Sequence, residues 1–197
     1  MDSEDMAVAL LNRALDQADN VLAQIQKGQE ALPTPCAEWD VRALIRHITR
    51  TDLPNFTAGA RGEAPQWGVQ PEELGADWLQ DFRDGAQELK RTWAAADLDQ
   101  QVPSMGGREA PLRSRADQQI AELAMHSWDL LKATGLTLAL DPALAEHGLD
   151  WSRGMLRPEF RGPDKAFGVE VPVPAEAPSY DRLAGWFGRD PAWTPEA

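Results

Sequence analysis

Apolar residues along this chain recur at steps of three and four, which is the spacing that one face of an α-helix requires. The first such stretch runs from residue 3 to about 27, and Gly28 follows at a position typical of a helix end. The next segment contains Pro33 and Pro35, so we expect a loop before the second helix. The apolar stripe of the first helix consists of Val8, Leu11, Leu15, Ala18, Leu22 and Ile25.

Three further long helices are predicted by the same spacing. The second begins after Asp40, a favourable N-cap residue, and Pro54 either ends it or kinks it. The third runs from about 71 to 96, because a proline followed by acidic residues suits a first helical turn. The fourth runs from about 114 to 134, with Gly135 at its end. Four long amphipathic helices indicate an all-α fold, a four-helix bundle.

The rest of the chain adds little regular structure to this bundle. Residues 97–111 are rich in proline and glycine and predict a connection with at most a short extended stretch. A shorter fifth helix is expected over about 142–155, and the tail after it holds too many prolines and glycines to be helical for long. We therefore predict one domain overall, with a helical bundle over 1–157 and a C-terminal tail, 158–197, that packs on it.

The charge of the chain argues against two classes of partner. Its 197 residues include 32 acidic and 19 basic ones, a formal net charge of -13, so nucleic acid and anionic membrane surfaces are unfavourable partners. No apolar run is long enough to cross a membrane, and the N-terminus begins acidic where a secretory signal begins basic. A single cysteine, Cys36, excludes an internal disulfide and agrees with a reducing compartment. We expect a cytoplasmic protein.

Two of the three histidines lie where they can share one metal ion. On the second helix His47 lies about 60° from Leu44, at the border of the apolar stripe. On the fourth helix Glu122 and His126 are four residues apart, so their side chains point the same way from consecutive turns. With His47 as a ligand from a neighbouring helix, they would give three protein ligands and leave a coordination position open, as in catalytic zinc sites.

Less specific interpretations of these residues remain open. A Glu and a His four apart also occur as a solvated pair on many helices, and a single histidine beside an apolar stripe is often structural. His147 has no partner at metal-ligand spacing, so we interpret it as a surface residue. Cys36 is either a thiol ligand or nucleophile or, as we favour, a small buried apolar residue.

Three segments resemble one protein family. TPCAEWDVRALIRHITR (34–50) and AELAMHSWDLLKATG (121–135) resemble two signatures of the mycothiol-dependent maleylpyruvate isomerase N-terminal domain family, part of the DinB-like superfamily of metal-binding four-helix bundles. FGRDPAW (187–193) resembles the C-terminal ending of a single-domain actinobacterial branch of that family. The resemblance implies a DinB-like bundle in which His47, Glu122 and His126 bind a divalent ion, with zinc expected first and nickel as the alternative.

The resemblance also implies a chemistry. Relatives use a low-molecular-weight thiol such as mycothiol, which is thought to bind the metal as a thiolate and attack an electrophile. We therefore expect a metal-dependent thiol S-transferase or isomerase whose partners are a small thiol and a small electrophilic substrate, in a monomer or homodimer. The alternative is a non-catalytic, stress-associated bundle that binds a divalent metal. The isomerase itself has a further C-terminal domain that this chain replaces with its proline-rich tail, which argues against maleylpyruvate as the substrate.

Overall fold

The structure, a computed structural model, describes residues 3–37, 39–103, 109–162 and 167–195. The bundle is built from α1 (Ser3–Leu22), from α2 (Val41–Arg46) continued through a π-helical segment (His47–Asp52) into α3 (Leu53–Ala60), and from α4 (Trp78–Ala94) and α5 (Arg113–Thr134). After the bundle come α6 (Pro142–Met155), a short 3-10 turn (Pro158–Phe160) and α7 (Ser179–Trp186). The prediction of an all-α bundle is confirmed.

Each long helix of the bundle packs against two others. α1 lies against α4 and α5, while the helix formed by α2, the π-helical segment and α3 lies on the opposite side, also between α4 and α5. Their apolar stripes meet in one core, in which the largest fully buried side chains are those of Trp93 and Phe82. Burial of such a continuous apolar core is the main term that stabilises the bundle.

Two predicted helix boundaries are wrong. α1 ends at Leu22 rather than near Lys27, because the chain tightens into turns with hydrogen bonds from Gln24 N to Val21 O and from Ile25 N to Leu22 O. α4 begins at Trp78 rather than at Pro71. The segment before it is held instead by side chains of α2.

Side chains of α2 explain the late start of α4. Arg42 Nη2 donates to Leu74 O at 2.5 Å, and Arg46 pairs with Glu73 at 2.7 Å. Leu74 is itself buried in the core. These contacts hold the segment before Trp78 against α2, outside the helix.

The connection after α4 contains the short extended stretch that the sequence allowed. Strand β1 (Gln101–Pro103) pairs antiparallel with strand β2 (Glu109–Pro111), with Val102 opposite Ala110. Arg115 Nη2 donates to the carbonyl of Pro103, which ties this hairpin to the first turn of α5.

The C-terminal part of the chain lies against the bundle through helix α7, which the sequence analysis did not predict. α7 packs on α6 and α5, with Leu183 and Ala184 fully buried. Lys132 Nζ donates to Pro191 O at 2.7 Å. The division of the chain near residue 157 remains a prediction. In the described part of the chain, no helix combines the length and apolar content that a membrane crossing requires.

Candidate metal site

The helix that carries His47 changes its hydrogen-bond register at that residue. From His47 to Asp52 the backbone is π-helical, and the N–H of Leu53 bonds to the carbonyl of Ile48, five residues back. Pro54 gives a physical reason: in a regular α-helix its ring would clash with the carbonyl four residues earlier. The wider turn lets the chain continue past the proline, so Pro54 neither ends the helix nor breaks it.

The π-helical turn brings a second acidic group to His47. Residues five apart on an α-helix point about 140° away from each other. In a π-helix residues i and i+5 lie on consecutive turns of one side, and here His47 Nε2 lies 3.1 Å from Asp52 Oδ1. Asp52 was not among the residues that the sequence analysis selected, because regular helical spacing places it on the wrong face.

The fourth helix of the bundle presents its pair to the same place. His126 Nε2 lies 3.6 Å from Glu122 Oε2, as their spacing of four predicts. The ring centroids of His47 and His126 are 5.2 Å apart, and the ring of Trp39 contacts both, at 4.4 Å from His47 and 6.0 Å from His126. Two histidines that are distant in sequence therefore converge.

Three of these side chains form a group with metal-binding geometry. His47, Asp52 and His126 each offer a ligand atom, and all three atoms lie within 4.8 Å of one another. Glu122 does not belong to this tight group, although its carboxylate is adjacent to His126. The set of His47, Glu122 and His126 stays a prediction, and the structure adds Asp52 to the candidates.

A buried network of polar side chains holds His126. Its Nδ1 lies 3.1 Å from Asp129 Oδ2, and Asp129 has no exposed surface. Arg189, from the segment after α7, donates to both oxygens of Asp129, from Nη2 at 3.0 Å and from Nε at 3.3 Å. An ionised Asp129 can only accept, so Nδ1 carries the hydrogen and the Nε2 lone pair faces the site. A carboxylate behind a metal-binding histidine is the usual arrangement for fixing its tautomer and orientation.

The charged groups of this network shift one another's pKa values. Burial alone would raise the pKa of Asp129, but the guanidinium of Arg189 and the hydrogen bond from His126 together lower it. Burial would likewise lower the pKa of Arg189, yet the charge of Asp129 raises it. Asp129 and Arg189 therefore form an ionised pair in the interior.

The pKa values of the candidate ligands themselves are subject to opposing effects. Burial raises the pKa of Glu122, with His126 and His47 acting against it. Burial alone would lower the pKa of His47, but the hydrogen bond and the charge of Asp52 raise it. Carboxylates held against imidazoles in a partly enclosed site are the electrostatic arrangement that a cation would stabilise.

One buried oxygen at this site has no protein partner. Asp52 is 2% exposed, its Oδ1 faces His47, and its Oδ2 has no hydrogen-bond partner among the described residues. An unpaired buried carboxylate oxygen is costly, and such groups in native proteins usually signal an ion or a water. Imidazole nitrogens and carboxylate oxygens suit zinc and its neighbouring divalent ions, so the residues present fit a metal.

A cavity of about 300 Å³ opens onto this group. His47, Asp52 and Glu122 line its floor, so the site is accessible to a small molecule. Its remaining walls are mainly apolar and come from the loop after α3, from α6 and from the C-terminal segment. They include Trp67, Trp151, Met155, Leu156, Phe167 and Phe187.

The other two residues considered from the sequence lie outside the metal-binding group. His147 is half-buried and pairs with Asp117, with 2.9 Å between Nε2 and Oδ1. Cys36 is half-buried, and its Sγ lies 3.6 Å from Arg189 Nη2. The sequence analysis quoted the segments that contain Asp129 and Arg189 but assigned these two residues no role. The only signal available was that both lie in segments that resemble the family.

The comparisons with known proteins agree with this architecture. Residues 11–131 match the family described as "Mycothiol maleylpyruvate isomerase N-terminal domain". The chain is 33% identical over 186 residues to the uncharacterized protein Rv0738 of Mycobacterium tuberculosis (strain ATCC 25618 / H37Rv), covering 90% of this chain and 94% of the relative. The uncharacterized protein MT0763 of strain CDC 1551 / Oshkosh matches equally.

A solved structure shares the fold. The crystal structure of the mycothiol-dependent maleylpyruvate isomerase superposes with a TM-score of 0.59 at 17% identity, over 76% of this chain and 68% of that one. The bundle is therefore DinB-like, as the sequence resemblance implied. The chain belongs to the mycothiol maleylpyruvate isomerase N-terminal domain family.

Proposed function

We propose that this protein binds one divalent metal ion through His47, Glu122 and His126, with Asp52 as the alternative carboxylate ligand to Glu122, and uses it in thiol transfer to, or thiol-dependent isomerisation of, a small electrophile. The observation that carries the proposal is the convergence of His47, Asp52 and His126 within 4.8 Å of one another beneath an open cavity. The unpaired Oδ2 of Asp52 supports it, because a cation would satisfy that oxygen. Zinc is the expected ion, and nickel is the alternative.

The chemistry follows from what each group can do. A bound divalent ion lowers the pKa of a coordinated thiol, so that the sulfur is a nucleophilic thiolate at neutral pH. Asp129 holds the His126 ring so that Nε2 points into the site, and Trp39 contacts both imidazoles. The apolar walls of the cavity exclude water and keep the electrophilic carbon near the floor.

The two reaction types share their first step. The sulfur forms a bond to the electrophilic carbon, and the electron pair displaced from the π-bond takes up a proton equivalent to the one that the thiol released. In a transferase the conjugate leaves with its new C–S bond. In an isomerase that bond breaks after rotation while the added proton leaves, so the double bond re-forms and the thiol is regenerated unchanged. Mycothiol is the proposed thiol because the family is described by a mycothiol-dependent enzyme, and a solved structure with this fold is that of such an enzyme.

A non-catalytic metal-binding bundle is a second candidate, and the position of Asp52 favours it. If both carboxylates bind together with both histidines, four protein ligands would complete a tetrahedral zinc and leave no place for a thiol. Elemental analysis of protein purified without added metal, chelator or histidine tag identifies the ion that the protein retains.

Thiol consumption by metal-loaded protein separates the two candidates. Mycothiol and a chromogenic electrophile are incubated with the wild type, with His126→Ala and, as a matched control, with His147→Ala. We expect the wild type and His147→Ala to consume thiol alike and His126→Ala to lose metal and activity, because His126, unlike His147, faces the site. Metal-loaded wild type that consumes no more thiol than buffer would leave the binding bundle as the function.

A further inference from the structure

The carboxylates that line the cavity above the candidate metal site have no lysine or arginine beside them among its described lining residues. Asp52 and Glu122 contribute acidic groups to its floor, and none of the described residues that line it is a lysine or an arginine. Two carboxylates cancel the charge of one divalent ion, so a bound thiolate would leave the floor with a net negative charge. A second anion would be repelled there, and a carboxylate of the substrate would find no cationic side chain to pair with in the described walls.

The walls favour an uncharged molecule. Trp67, Trp151 and Met155 line the cavity, and so do Phe167 and Phe187, whose ring centroids lie 5.6 Å apart. Burying apolar surface against such walls is favourable, whereas burying a charge without a partner is costly. The volume, about 300 Å³, lies at the lower end of the range for small-molecule sites.

A neighbouring cavity provides space for a polar second reactant. It has a volume of about 280 Å³ and shares Trp67, Gln118, Trp151 and Met155 with the first cavity. Its other walls include Ser114 and Arg115, so it has a cationic side chain that is not among the described lining residues of the first cavity. The polar part of a thiol can therefore lie in this cavity, beside the apolar one.

On the basis of the proposed function, we infer that the electrophile is a small, uncharged, apolar molecule, such as an aryl-substituted unsaturated ester or ketone, rather than a dicarboxylate. The apolar cavity over His47, Asp52 and Glu122 binds its carbon skeleton, and the reacting carbon faces the floor. The sulfur of the thiol adds to the β-carbon of the carbonyl-conjugated double bond, and the α-carbon takes the proton. The cavity discriminates against anions because none of its described lining residues is a lysine or an arginine that could pair with them.

A matched pair of ligands tests this inference directly. Methyl cinnamate and cinnamate share one skeleton and differ in a single charge, and calorimetric titration into zinc-loaded protein measures the affinity of each without requiring turnover. We expect the ester to bind at least about tenfold more tightly, the difference that one unpaired carboxylate in an apolar site implies. Cinnamate that binds as tightly as its ester, or more tightly, would overturn the inference.

A variant with an added cation makes the test sharper. Met155 is the last residue of α6, where a lysine suits the helix C-terminus, so Met155→Lys places a positive charge on the cavity wall. We expect the preference for the ester to fall about tenfold in this variant. Met6→Lys, at an exposed position outside the cavity, is the matched control and should keep the wild-type ratio. An unchanged ratio in Met155→Lys would contradict the assignment of this cavity.

Thiol consumption measured in parallel distinguishes the two levels of the proposal. Binding that prefers the ester, without any thiol consumption, would overturn the proposed function and leave the apolar ligand preference supported. Thiol consumption that is faster with anionic than with neutral electrophiles, each corrected for its uncatalysed rate, would support the proposed function and overturn the substrate class.

Discussion

The two histidines of the candidate site are held in different ways. His47 is 23% exposed at its side chain and is positioned by its own helix, whose π-helical turn places Asp52 beside it. His126 is 5% exposed and is positioned by a chain of partners that ends at Arg189, in a segment far along the sequence. The first arrangement depends on local backbone geometry, whereas the second depends on tertiary structure. Disturbing each should therefore have different consequences for stability and for metal affinity.

The largest effect on stability is expected when the buried ion pair of Asp129 and Arg189 is broken. Arg189→Met leaves Asp129 buried without its countercharge, and we expect the free energy of unfolding to fall by about 3–5 kcal/mol. Urea denaturation measures it. Arg46→Met removes an exposed pair with Glu73 and should cost less than about 1 kcal/mol. Equal losses in both variants would show that the Arg189 pair is not buried as described.

The next prediction separates the role of Asp129 in orienting His126 from its role in folding. Asp129→Asn keeps the shape of the side chain but removes the charge behind His126, and we expect metal affinity to fall about 10-fold to 100-fold. The control is Asp117→Asn, which alters a half-buried Asp–His contact away from the site, with His147, and should leave metal affinity unchanged. Competition with a chromogenic chelator measures both. A similar loss in both variants would mean that Asp129 does not act through His126.

A smaller effect is expected on the His47 side. Asp52→Asn removes a charge from the candidate ligand group, and we expect metal affinity to fall about tenfold. The free energy of unfolding of the metal-free variant should change by less than about 1 kcal/mol, because one oxygen of Asp52 makes no hydrogen bond within the described residues. Glu122→Gln measured beside it identifies which carboxylate binds the ion. Unchanged affinity in Asp52→Asn would leave His47, Glu122 and His126 as the set.

The smallest effect concerns the origin of the π-helical turn. Pro54→Ala restores a backbone N–H and removes the ring that a regular helix would not accommodate, so the π-helical register loses its local cause. We expect metal affinity to fall less than about tenfold, since Asp52 then drifts from His47. Pro142→Ala, at the first turn of α6, is the control. Unaltered nuclear magnetic resonance shifts around His47 would show that the turn does not depend on Pro54.

The sequence predicted the parts of the site that follow regular helical spacing. Glu122 and His126 lie on consecutive turns because α5 is regular, and their position beside the apolar stripe could be calculated from 100° per residue. His47 directly follows the regular helix α2, as the first residue of the π-helical segment, so its face was also predictable. The prediction of helical segments depended on the same periodicity, which is why it worked for the interiors of the long helices.

The parts that were missed depend on geometry or on distant contacts. Asp52 could not be selected, because its approach to His47 requires a turn wider than the one that the spacing assumes. Asp129 and Arg189 are 60 residues apart, and no local pattern reveals that their charges cancel in the interior. The start of α4 was wrong because the contacts of Glu73 and Leu74 with α2 outweigh helix-start signals at Pro71.

The contact between Asp129 and Arg189 also has a consequence for the order of folding. Closing a loop of this length costs conformational entropy. It is therefore slower than forming the helices themselves, whose contacts are between near neighbours in sequence. The imidazole of residue 126 therefore acquires its fixed orientation among the last events of folding, after the helical scaffold has assembled. A nascent chain that has not yet made this contact would capture metal poorly, so maturation of the centre is coupled to completion of the tertiary structure.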